Sequence, residues 1–171
     1  QTLKRRVSLA EIARRACERC QVRAPLPACG GVVEDVWVEA DPERLTMIVE
    51  HVIRNAQDAT PEAGRVTVSV AVDGGPGSEE AVVAGDTNNR LRVPVAALTV
   101  TDTGAGMSRE FILERLFKPF DTTKGSKGMG IGAYQVREYV QSLGGRVDVA
   151  SDEGQGTRFT LRIPLTTEPA P

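Results

Sequence analysis

Asp102 closes the apolar stretch ALTVT and is followed at once by Gly104 and Gly106 in the segment DTGAG, residues 102–106. Two glycines this close allow a tight turn and let backbone approach a ligand, while the carboxylate is a fixed acceptor at a strand end. Such an acceptor suits the exocyclic amine of adenine; the same residues also fit an ordinary Asp-Gly loop. A second glycine series, GMGIG at 128–132, opens a helical stretch, where free backbone amides and the positive helix end make a phosphate cradle. It lacks the GK[ST] ending of a Walker A loop and the spacing and preceding strand of a dinucleotide fingerprint. Lys124 and Lys127 stand just upstream and could neutralise phosphate charge, or be solvated surface lysines.

Asn55 offers an amide oxygen of the kind that binds Mg²⁺ beside a triphosphate, because that ion keeps much of its octahedral shell as water and phosphate oxygen; a lone helical Asn also fits an ordinary surface or local hydrogen-bonding residue. His51, one helical turn earlier, is the only histidine, which rules out a multi-histidine zinc cluster. It is placed to contact phosphate or ligand water, or to be a satisfied histidine at the border of a core face. In LFKPF, residues 116–120, Phe117 and Phe120 suit either the hinge and apolar base of a lid over the second glycine series or a plain core role.

The elements that must carry these residues follow from periodicity. Residues 8–21 read as a helix capped by Ser8 with Glu11 three residues on, and Leu9, Ile12, Ala13, Ala16 and Cys20 share its face. Residues 22–31 break the pattern, and a strand is expected from Val32 to Val38. Asp41 caps a helix with Pro42 at its first position, running to about Thr60 before Pro61. Its apolar stripe is Leu45, Ile48, Val49, Val52, Ile53, Ala56 and Ala59, bordered by the polar line His51, Asn55 and Asp58. Strands are expected at 65–72 and 94–101, with a mobile loop or an irregular hairpin over 73–91, in which Ala81 to Ala84 could form a short strand. A short helix follows at 108–116, a longer one at about 131–143, and a closing hairpin at 146–150 and 157–165 turns through Asp152, Glu153 and Gly154. Helices interspersed with hairpins predict an α+β two-layer sandwich, the helices on one face of a mixed sheet.

The bulk properties agree with one soluble domain spanning 1–171, its core at about 8–165. The chain is 40% hydrophobic and 26% charged with a formal charge of -2, so nothing global favours nucleic acid or an anionic membrane as partner. No apolar run reaches the roughly 20 residues that cross a bilayer, and no signal-peptide core is present. The chain starts at Gln1 rather than methionine, as an excised piece would. Cys17 and Cys20 form a CxxC inside a helical segment and Cys29 follows, with no second CxxC or Cys/His pair to complete a zinc set. Unpaired, partly buried thiols, a redox role, and a metal or partner contact are the three readings.

Taken together, four blocks in order resemble the ATP-binding (Bergerat) fold shared by gyrase, the large heat-shock chaperone, sensor histidine kinases and the MutL repair protein. HVIRNAQDAT at 51–60 is similar to the N box, DTGAGM at 102–107 to the first glycine box, FKPF at 117–120 to the F box and KGMGIG at 127–132 to the second glycine box. The F box, ADPERL at 40–45 and the terminal GGRVDVASDEGQGTRFTLRIPL at 144–165 point to the histidine-kinase branch. EHVIRNAQDAT and PFDTTKGSKGMGIG resemble its PrsK-type members in wording.

The resemblance implies ATP and Mg²⁺ as ligands, with Asn55 on the ion, Asp102 on the adenine amino group, and Gly104 and Gly106 admitting the base. Asp58, Ala59 and Met107 would lie near the adenosine. A lid over about 117–130 would bring Lys124 or Lys127 to the phosphates and end on Gly128, Met129, Gly130, Ile131 and Gly132, while Phe117 and Phe120 couple it to the domain presenting a substrate histidine. The implied activity is transfer of the γ-phosphate to that histidine on a dimerisation and phosphotransfer domain outside this chain, and then to a response regulator. A cytoplasmic domain is expected, in a parent that could be anchored in the bacterial inner membrane. The alternatives are a non-enzymatic ATP-sensing module and a serine/threonine kinase of the same superfamily. Two positions depart from the pattern. His51 stands where kinases usually have Asn and ATP-hydrolysing relatives a water-activating Glu, and Glu50 points about 100 degrees away around the helix. Met129 replaces the usual Thr.

Overall fold

The computed structural model describes residues 3–74, 94–118 and 132–170. Strand β1, Arg5–Ser8, leads into helix α1, Leu9–Arg19. Ser8 caps α1 by accepting the Glu11 amide at 3.3 Å. Strands β2, Pro27–Val32, and β3, Trp37–Ala40, precede helix α2, Pro42–Ala59. Asp41 caps α2 through the amides of Glu43 and Arg44, and Pro42 fills the first turn, where a missing N–H costs nothing. Strands β4, Val66–Asp73, and β5, Val95–Asp102, follow. After them come a short helix α3, Arg109–Phe111, running into a π-helical turn over Ile112–Leu116, then helix α4, Ala133–Ser142, and the hairpin β6, Arg146–Asp152, and β7, Gly156–Pro164.

The main sheet has the order β2-β4-β5-β7-β6, parallel only between β2 and β4 and antiparallel elsewhere. That parallel pair needs a crossover, and β3 with α2 supplies it. The second sheet is the antiparallel pair β1-β3, joined to the chain end by a bridge between Trp37 and Thr166.

Alternation in the central strands decides where the core lies. Val66, Val68 and Val70 of β4, Ala96, Leu98 and Val100 of β5, and Leu161 and Ile163 of β7 are buried toward one face. The apolar stripes of α1 (Leu9, Ile12, Ala13, Ala16), α2 (Leu45, Ile48, Val49, Val52, Ile53) and α4 (Val136, Val140) complete that core. The other face carries Thr67, Ser69, Thr99, Thr101, Arg158 and Arg162. This is the α+β two-layer arrangement that the sequence predicts, with the helices on one face of a mixed sheet.

Two sequence-based expectations are corrected. The strand expected at 32–38 is two strands in different sheets: β2 ends at Val32 and β3 begins at Trp37. Between them Asp35 takes a positive φ of 58°, which no strand continues through. Strand β1 was not anticipated, because four residues beginning Arg-Arg carry no apolar alternation and their partner β3 lies some 30 positions on. Of the loop expected at 73–91, Asp73 ends β4 and residues 75–91 lie outside the described residues.

Candidate functional site

The site is centred on Asp102, the last residue of β5 and the only carboxylate on the core-facing side of that strand. It is 6% exposed. Its Oδ1 accepts the Gly104 amide at 2.8 Å, and the Thr157 amide from β7 also donates to the carboxylate. The Thr60 hydroxyl lies beside it and divides its one hydrogen between Asp102 and the Ala56 carbonyl, 2.6 Å away. Burial pushes the Asp102 carboxyl above its usual range, and these donors pull part of the way back. A buried carboxyl group of fixed orientation results.

The loop after Asp102 is clamped on both sides. The Ala105 amide donates to the Ala59 carbonyl at the end of α2 at 3.0 Å. A Cβ on Gly104 would stand 2.2 Å from that carbonyl oxygen and 2.8 Å from Thr60 Oγ1, so no larger residue fits without moving the loop from α2. On the other side, Gly106 has φ +73°, and a Cβ there would meet the Asp152 carbonyl oxygen at 2.0 Å. The Gly154 amide donates to Ala105, and the Met107 amide donates to Ser151 Oγ at 2.8 Å. The first glycine loop therefore joins α2 to the β6–β7 hairpin and has little freedom of its own.

Helix α2 brings up the remaining residues. His51, Asn55 and Ala59 recur at a spacing of four along one side, which ends at the Gly104 contact. Asn55 and Ala59 are exposed, whereas His51 is 7% exposed. Burial pushes the His51 pKa down, the nearby Arg54 adds to that, and Glu50 opposes it. Glu50 itself turns toward α1 and pairs with Arg19 at 3.5 Å, so it does not share the His51 side of the helix. Asp58 stands off the His51–Asn55–Ala59 line and meets Arg23 of the α1–β2 loop at 2.6 Å.

Asp102, Gly104, Gly106, Met107 and Ala59 thus come together, with Asn55 one turn earlier on α2. Phe117 sits against Phe159 of β7, ring centroids 6.3 Å apart, and under the Arg137 guanidinium of α4 at 4.4 Å. Gly132 stands at the cap position of α4 and is exposed. Phe120, Lys124, Lys127, Gly128, Met129, Gly130 and Ile131 lie outside the described residues. Among the described residues, no group of three or more His, Cys, Asp or Glu could hold a metal ion, and no helix is long and apolar enough to cross a membrane. Sequence reading passed over Thr60, Ser151 and Thr157 as parts of the site. The available signal was a Thr directly after α2, and the GQGT turn that returns the chain to Asp102.

Residues 40–167 match the family model described as histidine kinase-, DNA gyrase B- and HSP90-like ATPase. The sensor histidine kinase ZraS of Escherichia coli O157:H7 is 34% identical over 128 residues, covering 75% of this chain and 23% of that protein. The histidine protein kinase DivJ of Caulobacter vibrioides is 35% identical over 154 residues, covering 87% of this chain and 21% of that protein. The chain therefore spans less than a quarter of the length of these relatives. Among solved structures, the mycobacterial sensor histidine kinase MprB superposes with a TM-score of 0.71 at 24% identity, covering 97% of this chain and 100% of that one. Full-length ShkA in complex with AMPPNP gives 0.71 at 24% identity over 99% of this chain and 33% of that one. With the family match covering most of the chain and the helices packed on one face of the same mixed sheet, this protein belongs to the histidine kinase-, DNA gyrase B- and HSP90-like ATPase family, as an ATP-binding domain homologous to those of sensor histidine kinases.

Proposed function

We propose that this domain is the catalytic part of a two-component sensor histidine kinase, passing the ATP γ-phosphate to a histidine on a dimerisation and phosphotransfer domain carried elsewhere in a longer protein. The observation that carries the reading is the buried Asp102 carboxylate, held by Gly104 and Thr157 in a loop clamped to α2 directly beyond Asn55. A fixed acceptor in a nearly dry setting favours a ligand amino group, because a ligand without one leaves the carboxylate's remaining lone pairs unfilled. Adenine presents such a group there. Asn55, exposed on the same side of α2, is the residue to hold Mg²⁺, which takes its other ligands from phosphate and water. Lys124 or Lys127 and the glycine amides of 128–132 complete the phosphate end.

Bound there, Mg·ATP supplies the phosphoryl group. The chain's contribution is positioning and charge neutralisation rather than covalent chemistry. An acceptor imidazole nitrogen attacks the γ-phosphorus in line as ADP leaves, and a response-regulator aspartate is the next carrier. His51, kept neutral by burial beside Arg54, is suited to a hydrogen bond with phosphate or its water and poorly suited to being the phosphoacceptor, since it lies in the core border. Neither Glu50, turned to Arg19, nor His51 supplies the carboxylate base of an ATP-hydrolysing cycle. The cytoplasm, where ATP and a response regulator are found, is the compartment this function requires, and the wording of the N box and lid favours a PrsK-type parent.

The parent protein incubated with γ-labelled ATP is expected to take up acid-labile, base-stable label, the signature of phosphohistidine. Acid-stable label, or none despite measurable ATP binding, contradicts the reading and favours a serine/threonine kinase or an ATP sensor. Asn55→Ala is expected to cost roughly tenfold or more in Mg²⁺-dependent ATP binding; a variant with unaltered Mg²⁺ dependence removes Asn55 from the metal site.

A further inference from the structure

The CxxC of α1 does not bring its own two sulfurs together. Cys20 Sγ lies 4.0 Å from the Glu50 carbonyl, inside the contact between α1 and α2. Cys17 Sγ points to the sheet and lies 3.1 Å from Cys29 Sγ on the edge strand β2. All three are free thiols; Cys17 is 5% exposed, and Cys29 is open to solvent. The two elements that carry the close pair are independently anchored. Buried Ile12, Ala13 and Ala16 hold α1, and the ladder Pro27↔Val66, Ala28↔Thr67 and Cys29↔Val68 holds β2. Gln21 Nε2 donates to both the Cys17 carbonyl at 3.1 Å and the Pro27 carbonyl at 2.8 Å, tying the loop between them. A disulfide needs its sulfurs at about 2.05 Å, so roughly 1 Å of side-chain movement closes the gap.

We propose that Cys17 and Cys29 are a redox modification site that closes to a disulfide on reaction with a low-molecular-weight disulfide of the glutathione type. The order of events follows from exposure. Cys29 alone is reachable, so its thiolate attacks one sulfur of the small disulfide, forming a mixed disulfide and expelling one small thiolate. Cys17, after losing its proton to solvent, attacks the Cys29 sulfur and expels the second small thiolate. Two protein thiols are oxidised to one disulfide and one small disulfide is reduced to two thiols. Burial pushes the Cys17 thiol above its usual range, so ring closure, which needs its thiolate, quickens as pH rises.

The ring spans the α1–β2 loop, whose Arg23 pairs with Asp58 at 2.6 Å and whose carbonyls at Cys20, Arg23 and Pro25 receive Gln57 Nε2. Oxidation therefore braces the loop that supports the C-terminal half of α2. The proposal rests on the thiol geometry alone and stands whether or not the phosphotransfer reading does.

The test equilibrates the purified chain in glutathione buffers of graded redox ratio at mildly alkaline pH, quenches with acid, alkylates and weighs the product. Two of the three thiols are expected to disappear together with no added glutathione mass, and a peptide cross-linked through Cys17 and Cys29 to appear. Cys20→Ser should leave that cross-link intact, and exposed Cys29→Ser should abolish it. Three alkylatable thiols at every ratio, a cross-link through Cys20, or glutathione held on Cys29 without ring closure would overturn the proposal.

Discussion

His51 and Asp102 are both nearly buried ionisable groups, and burial pushes each toward its neutral form: the His51 pKa goes down and the Asp102 pKa up. For His51 this has a measurable sign. An unfolded histidine takes up its proton near pH 6.5, and the folded one only below that. Between the two values the unfolded chain binds more protons, so stability is full above about pH 6.5 and declines as pH falls toward the folded value. Thermal melts from pH 7.5 to 5 should show that decline in the native chain and a flatter profile in His51→Asn; identical profiles would mean that His51 is free to ionise in the fold. At this scale the sequence was most informative for residues whose role is set locally. Ser8 and Asp41 cap the helices they were expected to cap, since a cap needs only its own next three amides. Thr157 was not read as a partner of Asp102, because the pairing joins residues 55 positions apart and exists only once β5 and β7 are side by side.

Helix α2 links the core to the site, and Gln57 shows how its position is enforced. Buried at 4% exposure, its single Nε2 shares two hydrogens among the carbonyls of Cys20, Arg23 and Pro25 at 3.0, 2.9 and 3.2 Å. Gln57→Leu keeps much of the volume but strips a buried group of carbonyls of their donor, which should cost about 1–3 kcal/mol. A fall in denaturant midpoint equal to that loss divided by the m-value, with the m-value itself unchanged, is expected; a variant as stable as the parent would show that water serves those carbonyls equally well. The helices were legible because their apolar residues repeat at three and four over many residues. The segment 27–40 was not, since β2 has only a Pro-Ala-Cys-Gly-Gly-Val sequence and a register shift between Cys29 and Val32, and its pairing is decided by β4.

The whole molecule places three remote segments around one carboxylate: the end of α2, the loop after β5 and the turn between β6 and β7. The sheet that aligns them is pinned on its outer face by Arg162 of β7, which reaches Asp148 of β6 at 2.6 Å and Asp73 of β4 across β5. The order of the four motif blocks was visible in the sequence and carried the fold, whereas the mixed sheet order and the second sheet were not, because parallel and long-range antiparallel pairings leave no local mark. Titration of the chain with ATP and with GTP, for the native residue and for Asp102→Asn, tests the assembled site most directly. Asn keeps the shape but has one acceptor oxygen where Asp has two. The native domain should prefer ATP, and the variant should lose roughly 10- to 100-fold in ATP affinity, the equivalent of one charged hydrogen bond, while still melting cooperatively. ATP affinity unchanged by Asp102→Asn in a folded domain, or equal affinity of the native domain for ATP and GTP, would contradict the assignment of Asp102 to the adenine amino group.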